Sequence, residues 1–169
     1  GAAGAYVVEE WNGVGRARLT TPKGESRPLE LPFDGVVSEL VTNASDGAVL
    51  LRGESWLHAP EWHSSAPGDP WHLRPFPLPA QRILSLPGAR VDRAEVRSRD
   101  GTLVPLTILS KDGLRSGAPR KTILSGYGAY GMALTPKFRP QLLAWLEAGY
   151  VMAIAHDTGA ASAVSSGWQ

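Results

Sequence analysis

Cysteine is absent from this 169-residue chain. Disulfide bonds and thiolate-ligated metals are therefore excluded, although the compartment is not fixed by that alone. An excess of charge of one sign is also missing. Seventeen Lys and Arg face 16 Asp and Glu, and the basic residues are scattered rather than striped. Such a balance offers no footprint for nucleic acid or for an anionic membrane surface. No apolar run approaches the ~20 residues that a membrane span needs. Gly1 stands where a Met would start a complete chain, and no charged leader followed by an apolar core is visible, so the true start stays open.

Turn chemistry is what the chain has in quantity. It holds 14 Pro and 19 Gly, most densely between Ala59 and Gly88, in a sequence whose 43% hydrophobic and 20% charged residues are ordinary for a globular domain. Dense punctuation between short apolar runs predicts many short strands. Strand-like runs occupy 6–8, 14–19, 27–31, 36–41 and 48–52. Pro22 and Gly24 mark one turn between them, and Asn43, Ser45, Asp46 and Gly47 mark another. This spacing predicts an antiparallel meander, as in a sandwich or a propeller blade, and the residues alone leave both open.

Residues 59–90 break that rhythm. They are rich in Pro and aromatic residues, and each X-Pro disfavours helix while Pro cannot donate to a central ladder. The stretch reads as a closing segment that runs into an interdomain linker. Trp56, Trp62, Trp71 and Phe76 offer an aromatic surface, read here as cover for a domain junction. His58, His63 and His72 lack a metal-binding spacing and read as polar surface or junction groups.

From Val91 the pattern changes again. Residues 91–97 alternate, Arg99-Asp100-Gly101 is a tight-turn signal, and 103–109 resumes as the return strand of a hairpin. Residues 121–125 have a continuous apolar centre, as a buried parallel strand does. A glycine loop follows, Ser125-Gly126-Tyr127-Gly128-Ala129-Tyr130-Gly131, with Thr135-Pro136-Lys137-Phe138 behind it. Residues 139–148 carry Leu142, Leu143, Trp145 and Leu146 at helical spacing, with Pro140 fit for the first turn and Gly149 for the position past the end. Residues 150–155 form the next buried strand, which implies a right-handed parallel crossover.

Gly126-x-Gly128-x-x-Gly131 matches the dinucleotide fingerprint in letters only. That fingerprint needs a helix to begin at the loop, and residues 132–136 intervene. His156 ends a strand at the carboxyl edge of the sheet, where sites of α/β proteins form, and reads as a hydrogen-bonded structural histidine. No G-x-S-x-G elbow occurs, and Ser165 and Ser166 have no strand before them, so neither is taken as a nucleophile.

The second half resembles the start of the catalytic domain of the prolyl oligopeptidase family of serine peptidases. The matching pieces are Arg99-Asp100-Gly101 with Val104-Pro105, the loop from Gly126 to Gly131, Thr135-Pro136-x-Phe138, and the strand from Gly149 to His156. Residues 1–58, with Gly53 to Pro60, are similar to the last blades of the family's propeller. Oligopeptidase B is a close second, because its loop and its strand ending read much alike.

The resemblance implies a mixed fold: antiparallel strands of partial β-propeller blades, then the first strands of an α/β-hydrolase sheet. It places a partial propeller at 1–75, a linker at 76–90 and the catalytic part at 91–169. It implies that Tyr127 donates its hydroxyl to the tetrahedral oxyanion and that Tyr130 lies near the substrate pocket. It implies a short peptide substrate cleaved after proline, or after basic residues on the oligopeptidase B pattern. It calls for no cofactor, no metal, no nucleic acid and no membrane, and for a cytoplasmic location with the periplasm left open. The family's nucleophile, acid and base lie beyond the matched stretch, so the chain alone is expected to be inactive and to need the rest of propeller and catalytic domain to fold fully.

After His156 the family continues with an Arg-Gly-Gly-Gly-Glu-Tyr-Gly-like stretch and a Trp, whereas this chain continues differently from Asp157. One choice of GC-rich codons for residues 159–169, read in a shifted frame, gives Gly-Arg-Gly-Glu-Cys-Gly-Glu-Gln-Trp. The hypothesis that residues 158–169 are a frameshift product is decided by the nucleotide sequence across that junction. The rival reading from another class is a non-catalytic β-rich binding module that uses the Trp-rich stretch.

Overall fold

A computed structural model describes residues 4–11, 14–31, 34–76, 78, 84–112, 119–127 and 134–156, with only the backbone given for Glu10 and Trp11. The chain divides into two compact units. The first comprises Gly1–Leu84 with Pro136–Phe138, and the second Ser85–Thr135 with Arg139–Gln169.

The first unit consists of two antiparallel sheets. One is three-stranded, in the order β1 (Ala5–Trp11), β2 (Val14–Thr20), β3 (Ser26–Leu29). The other is a four-stranded meander of β4 (Val36–Thr42), β5 (Val49–Glu54), β6 (Glu61–Ala66) and β7 (Asp69–Pro75), the form of a propeller blade. Alternation along β2 turns Gly15, Ala17 and Leu19 inward and Arg16 and Arg18 to solvent. Ala17, Leu19 and Leu29 from the first sheet close on Val37 and Leu51 from the second, with Tyr6, Leu40, Trp71 and Leu73 packed around them. Leu19 and Leu51 are fully buried, and each such side chain contributes about 1.5–3 kcal/mol.

The two sheets approach closely at Gly15. Its N–H donates to the Gly35 carbonyl at 2.6 Å. A Cβ on Gly15 would stand 2.5 Å from the Val36 Cα and 2.8 Å from the Gly35 oxygen, both main-chain atoms that cannot swing away. Gly15→Ala is therefore expected to destabilise the first unit by about 1–3 kcal/mol. Urea unfolding checks this, and an unchanged midpoint would show that the strands can separate at no cost.

The turn at 43–47 uses the residues that signalled it. Asn43 Oδ1 accepts from the Ser45 N–H, Asp46 Oδ1 accepts from the Ala48 N–H, and Gly47 takes φ 73°. Residues 59–75 differ from the expected irregular segment, since they hold β6 and β7. Proline is tolerated there because Pro60 precedes β6, while Pro70 and Pro75 lie on β7, the outer strand of its sheet, where one side of the backbone needs no partner. His63 differs too: it is 1% exposed, because β6 turns His63 and Ser65 inward. The Phe138 N–H donates to Glu54 Oε2 at 2.9 Å inside this unit.

The second unit is a four-stranded mixed sheet in the order β10 (Thr122–Gly126), β11 (Val151–Ala155), β9 (Leu103–Lys111), β8 (Ala89–Arg97). The hairpin of β8 (Ala89–Arg97) and β9 (Leu103–Lys111) turns at Ser98, which accepts from the Gly101 N–H at 3.0 Å. Strand β10 (Thr122–Gly126) leads to helix α1 (Pro140–Glu147) and then to β11 (Val151–Ala155). β11 inserts between the two earlier strands, parallel to β10 and antiparallel to β9. Pro140 occupies the first turn of α1, Leu146 is its fully buried residue, and Gly149 past its end takes φ 82°. Trp145 Nε1–H donates to the Val151 carbonyl at 3.1 Å and fixes the helix end on the strand that follows. None of the helices among the described residues is long and apolar enough to cross a membrane.

Strand β10 departs from the expected buried parallel strand. Among the described residues it lies at the sheet edge, with Ile123 44% and Leu124 70% exposed, whereas Val151, Ala153 and Ile154 of β11 are buried. A continuous apolar run looks the same in sequence whether or not its faces are covered.

Candidate active site

The carboxyl end of the β10–β11 pair gathers the chemistry in the second unit. The register ends with Gly126 opposite Ala155, so the next residues, Tyr127 and His156, stand at the same level. Tyr127 is 42% exposed. A phenol there is a hydroxyl donor presented at the strand end, where α/β sites are built. Gly126 is not forced by space, since a Cβ would meet Ala155 only in ordinary contact at 3.5 Å. Tyr130 and the glycines at 128 and 131 lie outside the described residues, as do Ser165, Ser166 and the altered tail. Helix α1 begins at Pro140, well past the glycine loop, in keeping with the rejection of a dinucleotide site.

His156 is buried and hydrogen-bonded. Its main-chain N–H donates to the Pro105 carbonyl at 2.9 Å, and its ring Nε2 lies 2.7 Å from Thr107 Oγ1. Burial holds the imidazole below its ordinary pKa. A hydrogen bond to the Leu134 main chain opposes that, and the charge of Arg93 adds to it. The hydrogen bonding expected of His156 is present. Thr107 was not singled out from sequence, because the partners are 49 residues apart and nothing in the β9 pattern marks one threonine.

The other histidines form no comparable centre. In the first unit His72 Nδ1 pairs with Asp69 in the open, 2.8 Å from Oδ2, and His58 sits 3.9 Å from Glu61 Oε1. Burial also lowers the pKa of His63, with Glu61 opposing and His58 adding. Among the described residues no group of three or more His, Asp or Glu could hold a metal. A cavity of about 440 Å³ is lined by Arg16, Arg18, Leu29 and Asp34, and one of about 250 Å³ by Val41, Leu50 and Phe76. Trp56, Trp62 and Trp71 line neither cavity. Trp56 is buried and Trp71 packs on the core with Arg27 over its ring at 4.8 Å.

Both buried imidazoles give the stability a pH dependence of one sign. The unfolded chain takes up protons near pH 6.5, while the folded chain resists until lower pH. The contribution is therefore complete above about pH 6.5 and is lost as pH falls through the lowered folded values. Tm is expected to drop between about pH 7.5 and 5.5, and to drop less in a His63→Asn variant. A flat profile would mean that neither ring is held neutral.

No family model matches the chain. Its sequence is similar to a prolyl endopeptidase-like protein of Xenopus laevis, 40% identical over 67 residues that make up 40% of this chain and 10% of that one. The human prolyl endopeptidase-like protein is 37% identical over 71 residues, 42% of this chain and 10% of that one. A protease 2 of Moraxella lacunata is 35% identical over 79 residues, 47% and 11% of the two chains. The matched stretches thus span only 10% to 11% of the length of these curated relatives. In fold the chain is similar to a prolyl endopeptidase, with a TM-score of 0.76 and 22% identity over 94% of this chain and 23% of that one. It is similar as well to oligopeptidase B of Leishmania major, with a TM-score of 0.72 and 21% identity over 91% and 23%. The resemblance to prolyl oligopeptidases, with oligopeptidase B beside it, therefore stands in both sequence and fold.

Proposed function

We propose that this chain is the part of a serine-type oligopeptidase that joins the end of a propeller (1–75), through a linker (76–90), to the first strands of the catalytic sheet (91–169). In that enzyme a serine oxygen attacks the scissile carbonyl, whose oxygen takes up the negative charge. The proton of the serine hydroxyl passes through a base to the departing amine as the intermediate collapses, which leaves an acyl ester that water then hydrolyses to the free acid and the serine hydroxyl. Tyr127 supplies a hydroxyl donor to the oxyanion. The observation that carries this reading is its place: exposed, directly after β10, at the carboxyl end of a parallel strand pair. Tyr130 is assigned to the substrate pocket by resemblance alone.

No nucleophile or base is assigned to a residue of this chain, so the 169-residue polypeptide is inactive by itself. Residual catalysis from an oxyanion donor and binding alone falls orders of magnitude below the enzyme. Cleavage after proline is the first reading, supported by the prolyl endopeptidase-like relatives. Cleavage after basic residues is the second, favoured by the fold match to an oligopeptidase B. The test compares this chain with the longest polypeptide its gene encodes, on Gly-Pro and Arg reporter peptides. The short chain should show no turnover, and the long one should cut the Gly-Pro reporter faster. Turnover by the short chain would refute the inactivity. Failure of the long one on both reporters would end the peptidase reading in favour of a binding module.

A further inference from the structure

The first unit takes in three residues from a distant part of the chain. Pro136–Phe138 count with it, although the residues on either side, Ser85–Thr135 and Arg139–Gln169, belong to the second unit. Pro136 is buried, Lys137 exposed and Phe138 half-buried. Pro136 brings no N–H of its own. The Phe138 N–H donates to Glu54 Oε2 at 2.9 Å, across 84 residues of sequence. Among the described residues, no main-chain hydrogen bond ties 135–138 to any sheet.

The two partners are held differently. Glu54 ends β5 in register with Val36 of β4, and it is 8% exposed. The turn beyond it is fixed by Ser55, whose N–H donates to the His58 carbonyl and whose Oγ accepts from the N–H groups of Leu57 and His58. A carboxylate buried to that extent needs a donor, and a hydrogen bond to a charged group is stronger than one between neutral groups. The segment at 136–138 has no ladder behind it. Swinging one side chain therefore frees it, with every strand pairing left in place. We propose that residues 136–138 form a strap on the first unit, latched by the Glu54 carboxylate, which opens locally while the sheets stay folded. The strap does not depend on the peptidase reading, so the two stand or fall separately.

Hydrogen exchange and proteolysis of the full chain test this. In the unaltered chain the Phe138 amide should exchange through a local opening, at a rate that changes little in dilute urea. Leu51 and Leu109, on strands with partners on both sides, should respond steeply. Equal urea dependence would mean that the strap opens only when the protein unfolds, and would overturn the proposal. Glu54→Ala should speed exchange at Phe138 about tenfold or more, whereas Glu54→Gln keeps an acceptor oxygen and should hold it within about threefold. Unchanged exchange in Glu54→Ala, or equal acceleration in Glu54→Gln, would overturn the latch. Trypsin reads the same opening. It does not cut after Arg139, because Pro140 follows, so cleavage within the strap falls at Lys137–Phe138 alone. That cut should come about tenfold or more faster in Glu54→Ala, while the cut after Lys23, in the exposed turn that Gly24 closes onto Thr21, keeps its rate. Equal acceleration at both sites would mean general loosening and would overturn the local latch. Should Glu54→Ala fail to fold, the urea dependence of the unaltered chain still decides the strap, and about tenfold faster exchange at Phe138 in Glu54→Gln would still overturn the latch.

Discussion

Tyr127→Phe should reduce kcat of the longest polypeptide by about 10²–10³, equivalent to about 2.7–4 kcal/mol of transition-state stabilisation, with little change in KM. The substitution removes one oxygen and keeps the ring. Tyr127 is 42% exposed, so little packing is at stake, and stability should stay within about 0.5 kcal/mol of the unaltered protein. Steady-state kinetics beside a melting curve separates the two effects. A loss in kcat without a loss in Tm identifies a donor aimed at charge that exists only in the transition state. A fully active Phe variant would remove Tyr127 from the oxyanion site, and a drop in both would reduce it to a packing residue.

Leu109→Ala should cost the second unit about 2–5 kcal/mol, a large share of the 5–15 kcal/mol that holds a typical domain together. Leu109 is 0% exposed and sits on β9, the strand with partners on both sides, opposite Val91 of β8 and Met152 of β11. Deleting its side chain opens a cavity where two strand pairs meet, and main-chain ladders on either side hinder collapse. Leu124→Ala makes the contrast within the same sheet. Leu124 is 70% exposed, and its truncation should stay within about 0.5 kcal/mol. Hydrogen exchange at Val91 and Met152 reads the first effect. Equal costs for the two leucines would mean that the β10 face is covered in solution.

The parts of this fold that were legible in sequence are those in which local pattern and local structure coincide. The turn at Asn43–Asp46, the hairpin at Asp100-Gly101 and the start of α1 at Pro140 each depend on residues within one turn of one another. β6 and β7 were hidden because proline content speaks against a ladder, whereas an outer strand uses only one side of its backbone. The burial of His63 follows from β6 being a strand and was lost with it. At the candidate site the role of Tyr127 stays a reading from sequence, and the structure adds its exposed place directly after β10. The pairing of His156 with Thr107 was not legible, because it arises only when β11 enters between β10 and β9. Tyr130 stays a reading from sequence.

That insertion also governs the order in which the polypeptide can acquire its shape. Strand β10 is completed before β11 exists, yet β11 is its sole neighbour among the described residues. At synthesis rates of about 5–20 residues per second, Ile123 and Leu124 leave the ribosome seconds before the strand that pairs with them. During that interval the β8–β9 hairpin can already close, since its pairing is local. The strand that ends at Gly126, just before Tyr127, is therefore the late arrival in its own sheet, and a nascent chain stalled before Val151 would carry an apolar strand without the neighbour that β11 supplies.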